Sequence, residues 1–232
     1  MFNIICLKHG TKYGPEYVNN LNSMVKRHIT LPYTFYCLTE DTTGINTDIN
    51  ILPLPVNSKF VGWWWKPYAF KEGLFPLGTV NFFIDLDMVI VKNIDKLLAY
   101  LPNEFIGLED VGRVFGAGRK KLGSAVLRWD ANTYTDIWNA LDQDPTIMQK
   151  FIGDQDYIWH YYKDKIKFFP SSWIRSYKWE VRTRDELVRF NNRLNFRDIR
   201  SPVLDPEIAI LAFHGSPDPH EVKDPVIVDN WR

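Results

Sequence analysis

The sequence predicts an α/β domain with a Rossmann-like, mostly parallel central sheet flanked by helices. Three observations predict it. Strand-length apolar runs alternate with segments of helical periodicity. The run Asn81-Phe82-Phe83-Ile84-Asp85-Leu86-Asp87-Met88-Val89-Ile90-Val91 is apolar on both faces, as in a strand covered on both sides. A length of 232 residues with 45% apolar content is ample for one core.

Taken in order, Phe2 to Leu7 is a first strand. Pro15 suits the first turn of a helix, which continues through Val18, Leu21, Met24 and Val25. Tyr33 to Leu38 and the short run Ile49 to Leu52 are further strands. A helix from about Lys66 to Gly73 leads through the turn Phe75-Pro76-Leu77-Gly78 into the strand ending at Asp85. Glu104 to Leu108 and Ser124 to Trp129 read as strands, Asn132 to Leu141 and Asp154 to Tyr162 as helices, and Lys167 to Phe169 as a short strand. The Arg-rich stretch Thr183 to Phe196 has Leu187, Phe190 and Leu194 at helical spacing and predicts a surface helix. Ile208 to Phe213 is a last buried strand running into His214-Gly215-Ser216-Pro217. No repeat, low-complexity tract or linker interrupts the chain, so residues 1–232 form a single domain.

Composition excludes several function classes. Lys plus Arg and Asp plus Glu both number 28, and the basic residues are dispersed, so neither a nucleic-acid stripe nor a membrane-attracting patch is expected. The N-terminus lacks a basic region ahead of its apolar residues, which predicts neither signal peptide nor anchor, and no segment approaches a membrane span. Cys6 and Cys37 lie in apolar strands; buried free thiols are favoured there over a disulfide or a metal role, which points to a reducing, cytoplasmic compartment.

Asp85 and Asp87 are the most informative pair. Two carboxylates ~5 Å apart repel by roughly 3 kcal/mol at an effective dielectric near 20, and a divalent cation would turn that repulsion into attraction. They stand at the carboxyl end of a strand, where α/β sheets bind ligands. The competing reading is that they cap the helix beginning near Asn93 or pair with lysines.

With these elements in place, the chain resembles the glycogenin-like retaining glycosyltransferases of the GT-A fold. Asp85-Leu86-Asp87 followed by Val91-Lys92-Asn93-Ile94-Asp95-Lys96-Leu97-Leu98 resembles the DxD motif and its "NID-L" segment. Lys66 matches a donor-contacting lysine, Gly123-Ser124-Ala125-Val126 the "NSGV" strand, Gly153-Asp154-Gln155-Asp156 the "DQ" motif, and His214-Gly215 the C-terminal "HG" segment. The resemblance implies transfer of a hexose from a nucleotide-diphosphate sugar, UDP-linked in the first instance, to a glycan, lipid-linked saccharide or protein acceptor, with retention. It implies Mn²⁺ or Mg²⁺ held by Asp85, Asp87 and His214. Donor contacts fall to Tyr13, Lys66, Asp85, Ser124, Gly215 and Ser216, and the reactive side of the sugar to Asp154 and Gln155. It divides the domain into a nucleotide-binding half, 1–100, and an acceptor-side half with the metal-binding segment, 101–232.

Ordinary readings stand beside these. Asp154 could be a plain N-cap, Lys66 a snorkelling lysine, His214 a satisfied core histidine, and the loop containing Tyr13 a solvated turn. Of Trp63, Trp64 and Trp65, one or two fill the core and an exposed one could stack on a sugar or base. Glu109-Asp110 reads as a solvated turn, and the aromatic stretch Trp173 to Trp179 as acceptor-side lining or core. Two positions depart from the family: Asp218 stands where a phosphate-gripping lysine is usual, and Gly123 where an asparagine is. A nucleotidyltransferase also presents strand-end aspartates to Mg²⁺, but the first loop is poor in the glycines and cations it needs. A non-catalytic sugar-binding module has no need of Asp85, Asp87 and His214 together.

Overall fold

The computed structural model describes residues 1–55, 59–111, 121–181, 184–190, 193–198 and 204–232. The strands are β1 (Phe2–Lys8), β2 (Tyr33–Thr39), β3 (Asn50–Pro53), β4 (Val80–Ile84), β5 (Met88–Ile90), β6 (Phe105–Glu109), β7 (Leu122–Asp130), β8 (Ile166–Phe168), β9 (Ile174–Ser176), β10 (Arg184–Phe190), β11 (Arg193–Asp198) and β12 (Ile210–Ala212). The α-helices are α1 (Pro15–His28), α2 (Asp95–Leu98), α3 (Asp136–Gln143), α4 (Asp154–Tyr162) and α5 (Pro225–Val228).

A seven-stranded sheet runs β3-β2-β1-β4-β7-β6-β8. Its β1·β2, β1·β4, β2·β3 and β6·β8 pairs are parallel, and β7 is antiparallel to both its neighbours. Successive residues of one strand enter different cores. Ile4 and Phe82 pack in a cluster with α1, while Ile5 and Phe83 pack with Trp65, Trp138 and Tyr157. That two-sided burial is why β4 carries no alternation of polar residues. On the first face, a second small sheet, β5-β12-β9, closes the layer.

The order 3-2-1-4 reverses direction at β1, so the loops after β1 and β4 diverge there and leave a crevice at the strands' carboxyl ends. The loop after β1 holds His9 to Gly14, and the turn after β4 holds Asp85, Leu86 and Asp87.

Two predicted helices differ. Instead of a helix from Lys66 to Gly73, a 3-10 helix spans Gly62–Phe70, because Trp64, Trp65, Tyr68, Ala69 and Phe70 are all buried and Pro67 removes a helical donor. The surface helix expected over Thr183 to Phe196 is instead an antiparallel pair, β10 with β11, carrying a register shift between Asp185 and Val188. Three apolar residues at helical spacing are few enough to fit a strand as well.

Both cysteines are free and buried. Among the described residues, no helix is long and apolar enough to cross a membrane.

Candidate active site

β5 begins directly after Asp87 and pairs antiparallel with β12, Met88 opposite Ala212. The Phe213 N–H donates to the Asp87 carbonyl at 3.3 Å, so the residue that follows, His214, arrives beside the acidic turn although it lies more than a hundred positions along the chain. A cavity of about 290 Å³ is lined by Asp85, Asp87, Asp110, Ser124, Gln155 and His214, with Gly215 at its rim.

Capping does not explain the two aspartates. Asn93 accepts from the Asp95 N–H at 2.9 Å at the start of α2, and Asp95 accepts from the Thr30 N–H at 3.0 Å, tying the end of α1 to this corner. The "NID" segment is therefore structural, with Ile94 fully buried. Lysine pairing holds for one of the two. Lys66, buried in the 3-10 helix, approaches Asp85 at 3.0 Å and donates to the carbonyl and hydroxyl of Ser124, both at 3.1 Å. Asp87 instead accepts from the Tyr13 hydroxyl at 3.1 Å, which bridges the loops after β1 and β4 across the crevice.

The charges are unbalanced. Burial and the neighbouring Asp85 push the Asp87 carboxyl up to about 7. Asp85 is also raised, by burial first, against the pull of Lys66. Burial works against the Lys66 ammonium, but Asp154 and Asp85 outweigh it and hold it above its usual range. Burial, then the Asp87 charge, raise the Tyr13 phenol. Two carboxylates that resist ionising beside one shared ammonium form a site short of positive charge.

Asp154 is not an N-cap: Gly153 occupies that position, with no side-chain cap. The Asp154 carboxylate is buried 3.7 Å from the Lys66 ammonium, and its Oδ2 has no hydrogen-bond partner. A buried acceptor without a donor is costly. It borders a second cavity of about 290 Å³, lined also by Trp63, Lys66, Ser124, Gly153, Gln155 and Asp156.

A third cavity, of about 250 Å³, holds Tyr13 with His9, Lys12, Trp63 and Asp87. Lys12 donates to the Tyr13 hydroxyl at 2.7 Å, so the loop is built rather than merely solvated. Trp64 and Trp65 are core residues, and Trp63 is the exposed one.

His214 is half-buried, its Nε2 2.7 Å from the Ser176 hydroxyl at the end of β9. That hydroxyl also accepts from the Trp179 N–H at 3.0 Å. Burial, followed by the nearby Lys178, brings the imidazole down to about 4, so it is neutral at ordinary pH. Asp85 and Asp87 fit a hard divalent cation by oxygen chemistry and by their shortage of positive charge, and His214 adds a neutral imidazole in the same cavity. Among the described residues, however, no three His, Cys, Asp or Glu side chains converge tightly enough to hold a metal ion.

Gly215 and Ser216 are exposed beside this cavity. Asp218 forms a capping box with Glu221 at the 3-10 turn Pro219–Glu221, and His220 lies 2.5 Å from the Tyr17 hydroxyl. Gly123 has a packing reason of its own: a Cβ there would sit 3.3 Å from the Asp110 backbone, close enough that the backbone must shift. Ser176 escaped the sequence reading, and Asp110 and Trp179 were not singled out in it as site residues. Asp110, read as solvated, lines the first cavity; Ser176 orients His214; and Trp179 lies against His214 with ring centroids 5.6 Å apart. Only Trp179 had a signal, as part of the aromatic stretch from Trp173. Trp173 itself packs on Tyr100 and donates to Glu207.

No protein-family model matches the chain, and no curated protein sequence matches it. Solved structures do. The galactosyltransferase LgtC, in complex with donor and acceptor sugar analogues, aligns at TM-score 0.58 and 12% identity over 97% of this chain and 91% of its own. This chain has the GT-A fold. The glycosyltransferase GlyE of Streptococcus pneumoniae TIGR4 aligns at TM-score 0.56 and 14% identity over 77% of this chain and 48% of GlyE. The bifunctional glycosyltransferase WbbM aligns at 0.52 and 12% identity over 74% of this chain and 39% of WbbM. The GT-A chain thus spans about half the length of GlyE and less of WbbM, but nearly all of LgtC.

Proposed function

We propose that the protein is a metal-dependent glycosyltransferase that moves a hexose from a nucleotide-diphosphate sugar, UDP-linked in the first instance, to a glycan, lipid-linked saccharide or protein acceptor in a reducing, cytoplasmic compartment. The observation that carries this reading is the cavity that Asp85, Asp87 and His214 line together, where the Asp87 carboxyl resists ionising for want of a cation.

The nucleotide lies along the β1 loop beside Tyr13 and Lys12, in the half formed by residues 1–100. Its diphosphate reaches the backbone of Gly215 and Ser216, contributed with His214 by residues 101–232. Mn²⁺ or Mg²⁺ held by Asp85, Asp87 and His214 would supply Lewis-acid neutralisation of the diphosphate. Lys66 holds Asp85 and Ser124 in place on the donor-sugar side. Asp154, with its orphaned Oδ2, and Gln155 stand on the reactive side of the sugar, where they position donor and acceptor. In the transfer, the bond from the anomeric carbon to the diphosphate oxygen breaks and its electron pair leaves with the diphosphate. The acceptor oxygen bonds to that carbon from the same face, and its proton passes to the departing diphosphate. Retention rests on the family resemblance.

Calorimetry with UDP and GDP, with and without Mn²⁺, tests the reading on the native chain and on Asp87→Ala. Metal-dependent UDP binding that vanishes in the variant is expected; metal-independent binding of free glycans, with no nucleotide binding, would overturn it.

A further inference from the structure

Trp63 is unlike its neighbours. Trp64 and Trp65 are buried at 7% and 2% exposure, while Trp63 is 57% exposed on the same 3-10 helix. An indole left in water at the mouth of a polar crevice gains by being covered. Its position is fixed from both sides. The preceding Gly62 has φ +56°, a left-handed conformation that favours glycine, and its N–H donates to His9 Nδ1 at 3.1 Å, fastening the start of the helix to the β1 loop. On the other side, a Cβ on Gly153 would stand 3.3 Å from the Trp63 Nε1, so the absence of a side chain at Gly153 gives the indole its place.

The ring borders two cavities that share Lys66 and Asp85. On one side lie Lys12, His9 and Tyr13 with Asp87, where a second ammonium offsets the carboxylates and suits an anionic nucleotide. On the other lie Asp154, Asp156 and Gln155, with the exposed Ile152 at the rim. Carboxylates repel a phosphate but accept hydroxyl hydrogens. An apolar wall facing a row of hydrogen-bond acceptors matches a sugar ring, which has an apolar C–H face and a hydroxyl edge.

We infer that Trp63 is the stacking wall of the acceptor subsite, and that the acceptor presents a hexopyranose face to the indole across from Asp154 and Asp156. This rests on the glycosyltransferase reading and adds to it a saccharide acceptor and a specificity-determining residue.

The test uses UDP-glucose and UDP-galactose as donors with Mn²⁺, and lactose, maltose and cellobiose as acceptors, on the native chain and on Trp63→Ala, Trp63→Phe and Gly153→Ala. Gly153 has φ −164°, extended backbone open to any residue, so its variant displaces the indole without removing it. Trp63→Ala is expected to raise the KM of whichever saccharide the native chain uses by about tenfold, with Trp63→Phe retaining part of the effect and Gly153→Ala raising KM as well. Calorimetric UDP affinity, read without acceptor, falls by a smaller factor than the acceptor KM rises in all three. Unchanged acceptor KM, UDP binding weakened as much as acceptor KM in Trp63→Ala, or a native chain that binds UDP yet uses none of the three sugars would each overturn the inference. A native chain that binds no UDP would overturn the transferase reading itself, which is a separate result.

Discussion

Lys66 stands 3.0 Å from Asp85 and 3.7 Å from Asp154, yet its hydrogen bonds go to Asp85 and Ser124 alone. One buried ammonium thus balances two carboxylates while serving only one of them. Replacing it with an isosteric apolar chain, Lys66→Met, removes that balance. Breaking a buried ion pair by deleting one partner costs about 3–5 kcal/mol, and urea denaturation should show a loss of that order. Adding Asp154→Asn removes one stranded charge and should recover part of it; additive losses in the double variant would show that Lys66 and Asp154 are not coupled.

Asp87 makes stability depend on pH. Its folded carboxyl titrates at about 7 against 3.8 unfolded, so between these values the folded state holds the extra proton. Stability from this group is present at pH 4 and is lost as pH rises towards 8. His214 works in the opposite sense, because a folded value near 4 costs stability as pH falls below 6.5. The two overlap, so the variant is the clean probe. Asp87→Asn should gain melting temperature relative to the native chain as pH is raised from 5 to 8, and match it near pH 4. A difference independent of pH would contradict the raised Asp87 value.

Gly123 should not accept a side chain cheaply. Its Cβ would press on the Asp110 backbone at 3.3 Å, just past the end of β6, where backbone rather than a flexible side chain has to yield. Overpacking of this kind costs about 1–3 kcal/mol. Gly123→Ala should therefore lower the melting temperature by several degrees; an unchanged melting temperature would show that the backbone at Asp110 yields freely.

Much of this was legible beforehand for a physical reason. Strands β1, β2, β4 and β7 are buried on both faces, and continuous apolar runs mark such strands strongly. The site signal was equally local: Asp85 and Asp87 break an apolar run where only a compensating group makes them tolerable. What stayed hidden was register. Nothing near Ile210 reveals that it pairs with Ile90, yet that pairing brings His214 to Asp87. Ser176 was invisible for the same reason, since an isolated serine carries no pattern. The β10 and β11 pair was missed because three apolar residues at helical spacing are too few to fix a periodicity.

Ser176 yields the prediction that separates orientation from ligation. Its hydroxyl holds His214 Nε2 at 2.7 Å while accepting the Trp179 N–H, so one oxygen fixes the imidazole and the turn beneath it. A ring nitrogen bonded in this way leaves the other, Nδ1, as the one offered to a ligand when Nε2 carries the hydrogen. Ser176→Ala frees the ring to rotate without touching Asp85 or Asp87. Partners of this kind typically change metal affinity by about 10–100-fold. Calorimetric titration with Mn²⁺ in the presence of UDP should show a loss in that range for Ser176→Ala, and a comparable or larger one for His214→Ala. Ser176→Thr, which keeps the hydroxyl, should recover most of it. Full Mn²⁺ affinity in Ser176→Ala would mean that the hydroxyl only supports the turn; full affinity in His214→Ala would remove the imidazole from the site.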